Sequence, residues 1–221
     1  LKDAQGSPVQ GRTRWRRFAA VMVPATVAAG AIVFGMANGA LAASFSVSGT
    51  QFKVSAKTLE GKGFVQYGGF ASEKGARQNG AFPDLTDSKN HAVAVSGIAD
   101  ATLTDLCQSV RVPGLPFSLV IHAGKDPKNP ATATDLLLDV TSLKGDATFT
   151  NIQIGIDASD LTKGPAVGGK GLPGTFAQQA DKVTITDLQQ KAWSTTAGQF
   201  KLTGLDLSIS TGANPEECFP G

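Results

Sequence analysis

The stretch Phe200-Lys201-Leu202-Thr203-Gly204-Leu205-Asp206-Leu207-Ser208-Ile209 places an apolar residue at every second position but changes phase in the middle. Phe200 and Leu202 are even-numbered, whereas Leu205, Leu207 and Ile209 are odd. Successive side chains of a regular strand point to opposite faces, so this slip would throw the second set onto the other side of a sheet. One extra residue, a β-bulge, restores the phase and keeps all five on one side. The break falls at Gly204, which adopts irregular backbone without a steric penalty.

The same design recurs. Phe149 is odd and Ile152, Ile154 and Ile156 are even, with Asn151 at the break. Further copies are Phe45/Val47-Ser48-Gly49, Val93/Val95-Ser96-Gly97-Ile98, Ala101/Leu103-Thr104-Asp105-Leu106, Leu138/Val140-Thr141-Ser142-Leu143 and Val183/Ile185-Thr186-Asp187-Leu188. The hinges are therefore Gly49, Gly97, Asp105, Ser142, Asn151, Asp187 and Gly204, mostly types that tolerate left-handed or irregular backbone. Val95, Val140 and Ile185 follow one another at intervals of 45 residues, a repeat signal. Polar, Gly-rich connections fall near 61–92, 123–133 and 157–181, with Phe64–Tyr67 and Pro116–Ile121 as additional short strands. No helical period of useful length follows residue 43. The expectation is an all-β domain, an antiparallel curved sheet or sandwich of bulged strands with internal repeats of about 45 residues. A parallel solenoid fits less well, because copies lie 8 to 17 residues apart within a unit, which is hairpin spacing.

Upstream, Arg12, Arg14, Arg16 and Arg17 precede 26 uncharged residues, Phe18 to Ala43. Basic start, apolar core and the small-residue site Ala40-Leu41-Ala42-Ala43 are the layout of an export signal cut after Ala42 or Ala43. The apolar stretch, expected to form an N-terminal helix, is also long enough to stay as a membrane anchor. Either way, residues 1–43 are a signal peptide or signal-anchor and residues 44–221 an extracytoplasmic β domain, secreted or held at the cell membrane. Outside the cytoplasm Cys107 and Cys218, the only two cysteines, are expected to pair, the alternatives being a buried free Cys107 or a reactive thiol.

Composition narrows the function. The chain carries 20 basic and 18 acidic residues, and the part after residue 42 is slightly acidic, so nucleic acid is not an expected partner. Two His and two Cys do not make a His/Cys zinc site, and no metal or cofactor is expected. No Gly-x-Ser-x-Gly elbow is present, and His122 is the one plausible base for a lipid or sterol ester hydrolase. No motif commits the chain to catalysis. The one-face-apolar strands instead offer Val95, Leu103, Val140, Phe149, Ile185, Leu202 and Leu205, either as a closed core or as the lining of a lipid site. The leading expectation is a non-enzymatic envelope protein that binds a lipid or a membrane partner. The alternative from another class is a structural or assembly protein of the cell or spore surface.

Specific blocks add a resemblance. Gly11-Arg12-Thr13-Arg14-Trp15 through Arg17-Phe18, Met22-Val23-Pro24-Ala25-Thr26-Val27-Ala28-Ala29-Gly30, Gly63-Phe64-Val65-Gln66-Tyr67-Gly68-Gly69, Leu106-Cys107-Gln108-Ser109-Val110-Arg111-Val112-Pro113-Gly114-Leu115-Pro116 and Ala192-Trp193-Ser194-Thr195-Thr196-Ala197-Gly198 resemble the DUF6230 proteins of Streptomyces and related actinobacteria. The resemblance covers residues 11–219. Members of that family often carry the name cholesterol esterase, an activity for which these residues supply no machinery. The family's genomic context implies a multi-pass membrane protein as a possible partner.

Overall fold

The computed structural model describes residues 49–72, 86–111 and 114–220; the expected N-terminal helix and the cleavage site at Ala42 and Ala43 lie outside them. The regular structure of the described residues is almost entirely strand, in one antiparallel sheet. Its elements are β1 (Phe52–Ser72), β2 (Asn90–Thr104), β3 (Leu106–Arg111), β4 (Phe117–Ala123), β5 (Ala131–Thr150), β6 (Gln153–Asp157), β7 (Phe176–Thr196), β8 (Gln199–Lys201) and β9 (Asp206–Thr211).

Four long strands close on themselves. Thr134 of β5 pairs with Asp100 of β2, Asp100 with Lys62 of β1, Lys62 with Lys182 of β7, and Lys182 with Thr150 of β5. One circuit of the ring thus returns to β5 sixteen residues further along. A stagger that large across four strands tilts them about 70° from the axis, far beyond ordinary barrels, so each strand winds around a tube. One apolar cluster fills the inside, including Leu59, Phe64, Ile98, Leu103, Leu136, Val183 and Leu188.

Winding a strand this tightly needs kinks, and they fall in rows. Asp105 and Asp187 lie on either side of Lys57, bracketed by the pairs of Thr58 with Thr104 and Thr186. The next row runs through Asp135, Ala99, Gly63, Asp181 and Asn151. Asp105, Asp135, Asn151 and Asp187 have φ between 49° and 53°, and Gly63 has φ 66°. Asp, Asn and Gly occupy this left-handed region at the least cost. At each kink the buried set changes parity: Val54 and Ala56 give way to Leu59, then to Phe64, while Val183 and Ile185 give way to Leu188 and Ala192. The expected phase-restoring breaks are thus found at Asp105, Asn151 and Asp187, with a positive φ of 65° at Gly204 and a register shift beside Ser142. Gly97 differs. It sits in regular pairing with Val65 and Leu137, and a Cβ there would stand 2.9 Å from Pro165 Cδ, so close packing requires the glycine.

The segment between β6 and β7 packs on the outside of the tube. Leu161 and Ala158 bury Val65, the Tyr67 hydroxyl donates to the Gly168 carbonyl at 2.6 Å, and Gln179 Oε1 accepts from Thr162 N at 2.8 Å. Lys163 Nζ lies 2.7 Å from Asp181, to which Asn151 Nδ2 also donates; these two contacts hold the Asp181 carboxyl below its usual range. The connections expected near 61–92 and 157–181 are shorter than read, since β1 runs to Ser72 and β7 starts at Phe176. Phe64–Tyr67 lies within β1, and Phe117–Ile121 within β4.

Candidate functional site

β3 continues β2 beyond the Asp105 kink, and β4 and β9 add to it as a three-stranded flap leaving one end of the tube. Directly opposed residues of antiparallel strands share a face. One face carries the row Phe52, Val110, Leu119 and Ile209, then Val54, Gln108, Ile121 and Leu207. The other carries the row Lys53, Ser109, Val120 and Ser208.

The C-terminal tail covers the second, serine-rich face. Cys107 and Cys218 form a disulfide with a Cα–Cα distance of 5.7 Å, which fixes the tail across the flap. Cys218 N donates to Ser109 Oγ at 3.0 Å, Glu216 N to Ser210 Oγ at 2.9 Å, and Ser118 Oγ to the Glu216 carbonyl. Lys53 Nζ meets Glu217 at 3.0 Å and the Phe219 carbonyl at 2.9 Å. Ser109, Ser118 and Val120 are consequently buried.

Among the described residues no element covers the outer part of the apolar face. Ile209 is 63% exposed and Leu207 56%, with Phe117 and Leu115 also exposed at the far end of the flap. This face runs into the mouth of the tube, where Val54, Leu106, Gln108, Leu188, Gln190 and Phe200 line a narrow cleft. The cleft holds about one water molecule, so an acyl chain would lie on the flap and reach inward only if these side chains moved.

The residues read from sequence as one apolar face divide in the structure. Leu103, Val140 and Ile185 are buried in the tube core, and Phe149 and Leu202 pack against it. Val95 belongs to a separate cluster with Ala71, Val93 and Trp193, and Leu205 is 54% exposed beside β9. The residues that line the open face, Val110, Leu119, Ile121, Leu207 and Ile209, were not in that set, although Leu207 and Ile209 stand in the very stretch whose phase change defines the strands. His122 lies opposite Asp206 and Cys107, on the side of the flap that the tail covers.

A half-buried polar group sits on the outer wall of the tube. Ser194 Oγ donates to Asp139 Oδ2 at 2.5 Å, and His91 stacks on Trp193 at 3.7 Å between ring centroids. Burial raises the Asp139 carboxyl above its usual range; burial, then the Asp139 charge, raises Tyr67 to about 12. With its hydroxyl given to the carboxylate, Ser194 is not poised as a nucleophile toward a histidine base. Among the described residues no three His, Cys, Asp or Glu side chains group to hold a metal ion.

Fold and surface together define a class: a steeply wound antiparallel β tube, disulfide-pinned at one end, with an uncovered aliphatic flap. Residues 48–219 match the model of DUF6230, a family of unknown function, and the chain belongs to that family. Comparison with curated proteins and with solved structures gave no match.

Proposed function

We propose that this is a non-enzymatic protein of the cell envelope, exported or anchored through residues 18–43, that holds the acyl part of a lipid on the open face of the flap. One observation carries the reading: the apolar face runs from buried Val54 and Leu106 at the tube mouth, interrupted by Gln108, to exposed Leu207 and Ile209, and the tail covers the opposite face instead. Water-exposed aliphatic surface costs about 25 cal/mol per Å², so an uncovered sheet of it favours an apolar occupant. A membrane protein partner could use the same face.

Native mass spectrometry on the protein from its own host, followed by denaturing lipid extraction, tests this. One lipid per chain is expected, and Ile209→Asp with Leu207→Asp should release it. A parent protein that carries no lipid would overturn the reading. A second reading, assembly between copies, rests on β9, which among the described residues pairs with β4 alone. Concentration-dependent oligomers without extractable lipid would favour it.

A further inference from the structure

We infer that the mouth of the tube binds the hydroxyl group of a neutral lipid through Thr195, Gln190 and Gln108. The inference deepens the lipid-binding proposal and rests on it for the hydrocarbon part of the ligand. The narrow cleft at the mouth has two kinds of wall. Val54, Leu106 and Leu188 are among its aliphatic residues, whereas Gln108, Gln190 and Thr195 supply its hydrogen-bonding side chains. Register explains their convergence. Gln108 of β3 and Gln190 of β7 stand directly opposite Val54 of β1, one on each side, so both share its inward face. Thr195 stands opposite Leu138, a core residue, and shares the same interior.

These polar groups do not serve a closed core. Gln190 is 3% exposed, and Thr195 Oγ1 is buried with no hydrogen-bond partner among the described residues. A buried polar atom left unpaired destabilises the fold, and Leu or Val at these positions would avoid that cost. An apolar wall that carries a few convergent donors and acceptors is instead the usual make-up of a small-ligand site.

Size and charge select the ligand. The cleft admits about one water-sized group, which matches a hydroxyl and leaves no room for a phosphate or a sugar. Among the described residues no charged side chain lines it, so an ionised carboxylate would lose its hydration there without a counter-charge. A hydroxyl accepts from a Gln amide and donates to Thr195 or to a Gln carbonyl while remaining neutral. The place of Gln108 in the sheet then has a reason. Leu207, Ile121 and Gln108 lie side by side across β9, β4 and β3, so hydrocarbon resting on the first two brings its polar end to the third.

The test titrates the full chain, stripped of lipid, with decanol and with decanoate at about pH 8, where the carboxylate is ionised. The side-chain amide signals of Gln108 and Gln190 are followed by NMR. Decanol should shift both signals and bind roughly tenfold more tightly than decanoate. Thr195→Val has a double signature: it should weaken decanol about fivefold and raise the Tm of the lipid-free protein by about 2–4 °C, because it removes an unpaired buried hydroxyl. Equal affinity for the two amphiphiles would overturn the inference. So would unmoved Gln signals, or a Thr195→Val protein that binds decanol as the parent does. Lipid extracted from the protein of its own host separates this inference from the carrier reading. A neutral lipid with a free hydroxyl supports both. A charged lipid would retain the carrier and end the inference, whereas decanol binding at the mouth without extractable lipid would do the reverse. Gln190→Leu, which should also weaken decanol, provides a second variant if Thr195→Val does not fold.

Discussion

The tube and the flap are made of the same kind of strand, aliphatic on one side and Ser/Thr-rich on the other, yet they resolve that asymmetry in opposite ways. In the tube the aliphatic side is turned inward, because kinks at Asp105, Asp135, Asn151 and Asp187 bend each strand until the sheet meets itself. In the flap the strands are six or seven residues apiece and do not close, and the tail is pinned over the serine side. The difference teaches that the aliphatic side of a strand becomes core only where the sheet can wrap around it. Where wrapping stops, the same pattern makes a surface.

The largest expected effect separates the regions by stability. Leu188 is fully buried in the tube, and Leu188→Ala should cost about 3–5 kcal/mol, roughly 10 °C in Tm. Ile209→Ser on the flap should change stability by less than about 0.5 kcal/mol while removing any bound lipid. Thermal unfolding followed by circular dichroism compares them. Equal losses would mean that the open face is core in solution.

Removing the disulfide should come next. Cys107→Ser with Cys218→Ser should cost about 2–5 kcal/mol, with the damage confined to one region. Hydrogen exchange of β3, β4 and β9 should accelerate while β1, β5 and β7 remain protected. Uniform acceleration would show that tube and flap unfold as one unit.

The smallest effect is a pH dependence belonging to the tube wall. Burial raises the Asp139 carboxyl, so the folded state binds its proton more tightly than the unfolded chain does. Its contribution to stability is therefore present at acidic pH and is lost as pH rises through the raised value. Asp139→Asn keeps a carbonyl oxygen for Ser194 and should flatten that decline, which begins above the usual carboxylate range, without altering exchange in the flap. An unchanged slope of Tm against pH would remove Asp139 as its source.

Much of the fold was legible because kinked strands leave a chemical trace. The residue at a kink must accept a left-handed backbone, so Asp105, Asn151, Asp187 and Gly204 stand out after a Ser or Thr between apolar pairs. Asp135 carries the same trace in Ala131/Ala133-Thr134-Asp135-Leu136, masked by alanines that read as weakly apolar. Gly63 was hidden in what looked like a polar connection. Closure was not legible at all, since the pairing of β1 with β7 depends on register between segments more than a hundred residues apart. The site was half legible for a similar reason: the aliphatic side of Leu205–Ile209 is plain in the sequence, but whether another element covers it depends on the route of the tail.

The closed ring also sets an order of events for a chain that emerges N-terminus first. β1 finds one partner early, in β2, but its other edge waits for β7, which ends at Thr196. Until then the surface destined for the interior of the tube stays open to whatever surrounds the nascent chain, and the long separation of the pairing segments makes the final step slow. Delivery of the last strand, rather than collapse of the first, is the event that makes this protein safe from aggregation.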